Sequence, residues 1–532
     1  MATGTEILVI GGGATGLGVA RDAVLRGFKT ILLEKGDIAH GTSGRYHGLL
    51  HSGARYVVRD PHSASECYHE NVILRRIAPS AIEDTGGLFV NLLEDPAEYP
   101  DQFLAGCKAA GVPVEEISVL SARRHEPLLT QHIRRVFRVP DAACDSFDLL
   151  HLLKDDIRAR GGQVWLRHRV EEFIVERGRV RGVVAHDLTS GERKAIYGDI
   201  VLNCAGPWAG HVAQLAGADV RVAPGKGTMI AMNVRLVNTV INRCKMPDDG
   251  DILVPIGTVS VIGTTEVQID NPDQYPMEDW EVQLLMDEGE KLIPGFRRYR
   301  PLRAWAGARP LFKDHKADPN ADSRLLSRSH QILNHRQRDG LPGLISIVGG
   351  KLTTFRLMAE QLMDAACAEL GMQRACTTAT TPLEPHGTPH HTLTTRLKTR
   401  ETSATPGADN PLICECELVT RQQVVEALAQ LGSVVLNDLR RDTRLGMGPC
   451  QAGFCGYRAA GLAQQTLNRP AEEINLALAQ FLQERWKGQR PLVWGHNLRQ
   501  LELDLTIYRQ VLGVQRLPGT TAIETYPNEQ NA

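Results

Sequence analysis

Residues 6–34 read EILVIGGGATGLGVARDAVLRGFKTILLE, and this stretch decides the fold. The apolar run EILVIG meets a glycine-rich turn, a segment with helical apolar spacing continues to Gly27, and KTILLE forms a second apolar run. Strand, turn, helix and strand in that order make a nucleotide-binding βαβ unit. Gly11, Gly13 and Gly16 supply the G-x-G-x-x-G pattern, which lets backbone approach a pyrophosphate resting on the helix N-terminus. Glu34 ends the second strand, 23 positions after Gly11, where a carboxylate accepts from a ribose 2′-hydroxyl and repels a 2′-phosphate. The expected cofactor is FAD or NAD and not NADP.

Outward from this unit, strands and helices alternate to about residue 365. DIVLNCAG (199–206) and GLISIVGG (343–350) read as buried strands ending in glycine turns. The turns at Ala205-Gly206 and Gly349-Gly350-Lys351, the latter followed by Leu352 and Thr353, offer more backbone to a flavin. No second complete G-x-G-x-x-G offers a place for NAD, so FAD is preferred. VRGVVAHD (180–187), GTMIAMNV (227–234), GDILVPI (250–256) and TVSVIGTT (258–265) read as antiparallel strands of a second sheet.

Thr42 to Tyr56, TSGRYHGLLHSGARY, is dense in hydroxyl, imidazole and guanidinium groups, as suits a loop at a flavin and an anionic substrate. Thr42 and Ser43 fall on the cofactor side. His47 and His51 are both candidates for removing a hydroxyl proton, because imidazole titrates near neutral pH. Arg55, Arg309 and Arg328 are candidates for holding a phosphate or carboxylate.

The chain has 532 residues, 42% hydrophobic and 23% charged, enough for two or three domains. Sixty Lys and Arg balance 62 Asp and Glu, a formal charge of -2, so no global field attracts nucleic acid. Eleven cysteines, an odd number, without a leader-like start point to a reducing cytosol. The longest uncharged window, Ile200 to Ala218, holds Asn203, Pro207 and His211, which a spanning helix would not accept. Membrane contact is expected only at the periphery or through a partner.

Residues 376–411 are rich in threonine, proline and histidine, and read as a linker. Thr420 and Gln423 then form a capping box ahead of an apolar face, where a small helical domain begins. Cys414 and Cys416 are one residue apart, Cys450 and Cys455 four, with 33 residues between the pairs. This is metal-ligand spacing. It matches small [2Fe-2S] domains better than the C-x-x-C knuckles usual for zinc, with zinc and free thiols as the alternatives. Arg440, Arg441 and Arg444 are positioned to offset the cluster's negative charge.

GGGATGLGVARDAVLRG (11–27), HSGARY (51–56), AGARPL (306–311) and GGKLTTFRLMAE (349–360) together resemble the FAD-dependent glycerol-3-phosphate dehydrogenase family. The resemblance covers nearly the whole chain. The cysteine-bearing tail, with RRDTRLGMGPCQ and FLQERWKG, looks like that of the family's anaerobic branch. Phe355 stands where related sequences usually have tyrosine, a tolerable change.

The resemblance implies a fold of α/β plus α+β class. A Rossmann-like, glutathione-reductase-type FAD-binding domain (1–80, 140–220 and 340–370) would carry an antiparallel-sheet substrate domain (81–139 and 221–339). Together these make up 1–375; the linker (376–411), a mainly helical [2Fe-2S] domain (412–465) and a helical extension (466–532) follow. It places phosphate-binding arginines at Arg309 and Arg328, an active-site lysine at Lys351, and His51, Arg55 and Tyr56 at the flavin face. The implied reaction is oxidation of sn-glycerol 3-phosphate to dihydroxyacetone phosphate. Electrons would pass through the cluster to a B subunit that is a second flavoprotein, to a C subunit that carries Fe-S and anchors to the membrane, and then to quinone. FMN is left open for the wider complex. The chain would then work peripherally on the inner face of the cell inner membrane. The competing readings are an FAD dehydrogenase of a 2-hydroxy acid or amino acid, and a non-catalytic FAD/Fe-S electron-transfer subunit.

Overall fold

A computed structural model describes residues 3–313, 329–385, 393–403 and 410–520. In it the opening stretch forms strand Thr3–Ile10, helix Ala14–Leu25 and strand Thr30–Leu33, the two strands parallel with Ile7 beside Thr30. Successive strand residues point to opposite faces, and both faces are covered. Ile7 and Val9 enter a core shared with Leu17, Phe355 and Leu362, whereas Leu8 and Ile10 enter another with Ala209, Ala213 and Val348. Phe355 packs its ring against Gly18, where a Cβ would come within 2.9 Å, so this position needs no hydroxyl.

Thr3–Ile10 also pairs in parallel with Arg193–Asn203, the strand that delivers Ala205 and Gly206. Arg193–Asn203 in turn pairs in parallel with Leu344–Gly349, which delivers Gly350 and Lys351. The glycine turns named from sequence therefore emerge side by side at one end of one sheet, where ligands of open α/β sheets bind.

Two segments belong to a different sheet from the one expected. VRGVVAHD lies in strand Arg179–Asp187, which pairs antiparallel with Arg193–Asn203 and with His168–Glu176, as part of the nucleotide-binding sheet. A short turn joins each pair, and such a meander extends a parallel sheet without a crossover. His330–Asn334, expected in the substrate sheet, pairs antiparallel with Leu344–Gly349 for the same reason.

The second sheet has nine strands among the described residues. Its longest pairing sets Val222–Met232 against Pro301–Phe312 in antiparallel register, with Gly225 opposite Arg309 and Gly227 opposite Gly307. Helix Asp279–Leu292 covers its outer face and inserts Glu281 beneath it, where the carboxylate accepts from Lys226 Nζ at 2.7 Å and from the Thr228 and Thr265 hydroxyls.

The segment after Cys376 is less of a free linker than its composition suggests. Leu383 is buried in the nucleotide-domain core, Arg21 donates to the Thr381 carbonyl at 2.8 Å, and Arg356 donates to the Thr378 hydroxyl at 3.0 Å. Leu393–Ser403 is a helix although it lacks an apolar face; its Leu, Arg, Lys and Glu residues favour helix intrinsically, and Arg396 donates to the Cys416 carbonyl.

The last part of the chain is helical, opening with the Thr420–Gln423 capping box on Arg421–Leu431. One hydrophobic cluster runs from Ile413 to Val514, so residues on both sides of 465 build a single core. Among the described residues no helix is long and apolar enough to cross a membrane.

This core is locked to the nucleotide domain by charge. Arg441 Nε donates to Asp37 at 2.8 Å and also holds Asp438, which Arg167 grips from the other side. Arg444 bridges Glu417 (3.0 Å) and Asp145. Two of the three arginines expected at the cluster thus serve as interdomain clamps, because carboxylates of the nucleotide domain lie within their reach. The Arg441 and Asp37 side chains are only 10% and 3% exposed, and removing one partner strands a buried charge. Arg441→Met is expected to cost about 3–5 kcal/mol of C-terminal domain stability, read as a lower denaturation midpoint and faster proteolytic release of that domain.

Candidate functional site

A cavity of about 1270 Å³ opens where the glycine turns, the Thr42–Tyr56 loop and the second sheet meet. At its nucleotide end the backbone is as close as sterics allow. Gly11 has φ +113°, and a Cβ there would lie 2.6 Å from the Cys204 carbonyl oxygen; one at Gly16 would lie 1.9 Å from the Gly11 carbonyl oxygen. Gly13, at the N-cap of Ala14–Leu25, brings no side chain to the helix N-terminus, and the Ser43 hydroxyl accepts from the Ala14 N–H at 2.9 Å. An anion-binding helix end thus faces the cavity.

Glu34 is oriented by two backbone donors, Gly12 N–H at 2.6 Å and Gly36 N–H at 2.7 Å. Burial pushes its carboxyl above the usual range and these N–H groups oppose the shift. Each carboxylate oxygen keeps a second lone pair, which suits it to a ribose hydroxyl. Thr42, Ser43, Ala205, Gly206, Gly350, Leu352 and Thr353 line the same cavity. Gly350 has φ +80° and a Cβ there would meet the Met358 sulfur at 2.3 Å. The residues present therefore fit a dinucleotide along its whole length.

At the other end, His51, Tyr56 and Lys351 come together. The His51 ring lies 5.4 Å from that of Tyr56, and Lys351 Nζ stands 4.8 Å over the Tyr56 ring. Backbone contacts fix His51: its N–H donates to the Thr353 hydroxyl and its carbonyl accepts from Asn71, both at 3.2 Å. His47, 5.9 Å from His51, uses Nδ1 to accept the Leu49 N–H, which leaves its proton on Nε2 in the neutral form. His47 Nδ1 is thus engaged by backbone.

Arg309 lines the cavity from the second sheet, held by Glu266, Thr264 and the Thr265 carbonyl (3.1 Å). Gly227 makes room for it, since a Cβ there would meet its guanidinium at 2.4 Å. Arg55 departs from expectation. It is not among the residues that line the cavity, and both its Nη atoms donate to the fully buried Asp251 carboxylate at 2.8 Å, which requires a paired cation. Arg328 lies outside the described residues.

The cavity also has a wall that no sequence motif announces. Glu484, Trp486 and Lys487 of helix Ala471–Gln489, and Arg490 after it, line the cavity from the C-terminal domain. FLQERWKG carries no motif chemistry of its own, and only tertiary packing brings it there.

The four cysteines form two contacts. Cys414 pairs with Cys455, and Cys416 pairs with Cys450. Among the described residues no three Cys, His, Asp or Glu side chains converge on one metal position. Two pairs fit a binuclear cluster, with two thiolates for each iron, better than one tetrahedral zinc. Several cations lie nearby: Arg300 donates to the Pro449 carbonyl at 2.9 Å, Arg485, 1% exposed, to the Gly446 carbonyl at 3.3 Å, Arg458 to the Ile413 carbonyl at 3.3 Å, and Arg396 to the Cys416 carbonyl.

Comparison with known proteins agrees with this geometry. The family described as FAD dependent oxidoreductase matches residues 6–360, and the BFD-like [2Fe-2S] binding domain matches residues 412–465. The A subunit of anaerobic glycerol-3-phosphate dehydrogenase from Escherichia coli strain K12 is 41% identical, over 96% of this chain and 97% of that protein. The A1 subunit of the same enzyme from Haloferax volcanii is 40% identical, over 94% and 90%.

The chain belongs to the family of anaerobic glycerol-3-phosphate dehydrogenase A subunits.

Membership accounts for both cofactors together, FAD with the domain of residues 6–360 and a [2Fe-2S] cluster with that of residues 412–465. The fold agrees: glycerol-3-phosphate dehydrogenase from Bacillus halodurans, solved with FAD, superposes with a TM-score of 0.61 at 21% identity, over 92% of this chain and 96% of that one. Glycine oxidase from Geobacillus kaustophilus gives 0.57 at 17%, over 73% and 100%.

Two glycines test the sites separately. Gly16→Ala is expected to abolish flavin retention, read as lost visible flavin absorbance, while iron content persists. A Cβ at Gly448 would lie 2.2 Å from Cys416 Cβ, so Gly448→Ala should displace that ligand and lower iron content while flavin stays bound.

Proposed function

We propose that this chain oxidises sn-glycerol 3-phosphate at C2 to dihydroxyacetone phosphate and passes the electrons onward through the [2Fe-2S] cluster. The observation that carries the reading is that Arg309, His51 and Lys351 line the same cavity as the dinucleotide turns. The names of the family's members support the substrate.

FAD supplies a hydride acceptor and the cluster a one-electron carrier. The protein supplies position and proton handling. Arg309, pinned by Glu266, Thr264 and Thr265, sets a positive charge at a fixed place on the cavity wall, where a phosphate dianion is attracted. Holding the phosphate there turns C2 toward the reacting face and removes orientational freedom from the reaction. His51 takes the C2 hydroxyl proton as the C2 hydride departs, so the alcohol becomes a ketone. Lys351 holds a positive charge beside the oxygen on which negative charge develops.

The relatives are named as one lettered component of an enzyme, which implies further subunits in them. From the family resemblance we further propose that a second flavoprotein, a membrane-anchoring Fe-S protein and the quinone pool complete the electron path, with this chain peripheral on the inner face of the inner membrane.

Anaerobic mixing with sn-glycerol 3-phosphate should bleach the bound flavin, whereas 2-hydroxyglutarate and amino acids should not; no bleaching by glycerol 3-phosphate would sink the reading. Arg309→Ala should keep its flavin but need about 10- to 150-fold more substrate for half-maximal bleaching, equivalent to ~1.5–3 kcal/mol for a lost charged hydrogen bond. His51→Asn should slow bleaching by about 10²–10⁴.

A further inference from the structure

Arg309 and its partner Glu266 lie against bare backbone. A Cβ at Gly225 would meet a Glu266 carboxylate oxygen at 2.2 Å, and one at Gly227 would meet Arg309 Nη2 at 2.4 Å. Lys226, between these glycines, accepts from Arg309 Nη1 at its carbonyl, at 3.5 Å. Strand side chains alternate, so that of Lys226 leaves by the opposite face. There, in a residue only 3% exposed, its Nζ donates to Glu281 at 2.7 Å.

Glu281 also holds a second support of Arg309. Its Oε1 accepts from the Thr265 hydroxyl at 2.7 Å and the Thr228 hydroxyl at 2.9 Å, and the Thr265 carbonyl accepts from Arg309 Nη2 at 3.1 Å. Its Oε2 accepts from Lys226 Nζ and from the Glu278 N–H at 3.0 Å. Four donors thus occupy a carboxylate with about four acceptor sites. Glu281 is 0% exposed and its charge is offset by Lys226, so it acts on its surroundings by holding them in place. A buried pair of this kind adds little net stability over an apolar contact, but it fixes the backbone of both partners. Lys226 Nζ donates in addition to the Pro276 carbonyl at 2.7 Å, and Pro276 lines the cavity.

We propose that Glu281 is a positioning residue for the substrate phosphate, setting the place of the Arg309 guanidinium through the backbone of Lys226 and Thr265. The inference rests on Arg309 binding that phosphate. Two of the carbonyls that Arg309 leans on belong to residues whose side chains end on this one carboxylate. A guanidinium held in place before the substrate arrives loses less freedom on binding it.

The test follows flavin bleaching by sn-glycerol 3-phosphate in the full-length, anaerobically purified protein. Glu281→Gln keeps the size of the side chain and removes the charge that holds Lys226; with flavin bound, the half-saturating substrate concentration should rise about 3- to 10-fold. In an Arg309→Ala background the same change should add less than about twofold, because the group it positions is gone. An unchanged half-saturating concentration, or an equal rise in both backgrounds, overturns the proposal. A role confined to stability gives the first of these outcomes, with a lower melting temperature. If Glu281→Gln retains no flavin, Thr265→Val decides, since it removes the hydroxyl that Glu281 holds. A rise that Thr265→Ser reverses supports the proposal; no rise, or one that serine does not reverse, overturns it. If Arg309→Ala alone leaves the half-saturating concentration unchanged, the phosphate assignment fails and this inference with it, whereas a weakened Arg309→Ala beside an unaffected Glu281→Gln defeats this inference only.

Discussion

Arg441, buried between Asp37 and Asp438, joins the two halves of the molecule, and the redox arrangement depends on that contact. Asp37 lies three residues beyond Glu34, at the end of the βαβ unit, and Asp438 precedes the cluster loop. A flexible attachment would let the cluster drift away from the flavin. Buried ion pairs of this kind add little net stability over an apolar contact, but mispairing leaves a charge stranded, so they specify one docking geometry. Arg444 on Asp145 and Arg300 on the Pro449 carbonyl extend the joint around the cysteines.

Much of this is legible in the sequence wherever the chemistry is local. The G-x-G-x-x-G turn, Glu34, the strand-to-glycine turns and the cysteine spacing each concentrate their meaning in a few adjacent residues, and their positions in the structure follow from strand and helix periodicity. The Thr420–Gln423 capping box is local in the same way. Legibility ends where a residue's partner is remote. Nothing near Arg55 announces Asp251, nothing near Arg441 announces Asp37, and polar residues between 393 and 403 form a helix on intrinsic propensity alone. The sheet to which VRGVVAHD belongs is ambiguous for a related reason: alternation marks a strand but not its neighbour.

The site follows the same division. Composition alone does not separate His47 from His51, and the family resemblance favours His51; in the structure the Leu49 N–H occupies one imidazole nitrogen of His47. The C-terminal wall of the cavity carries no motif and exists only because the cores on either side of residue 465 are one.

Helix Ala471–Gln489 lines the cavity with Glu484 and Lys487, packs Phe481 and Leu482 in the core that holds Cys414 and Cys455, and has Trp486 at both. One rigid helix therefore belongs to the housing of both cofactors. A ligand that binds only the folded cavity stabilises whatever forms its walls. Binding in the cavity is thus thermodynamically linked to ordering of this C-terminal helix, while each cofactor keeps its own set of binding residues.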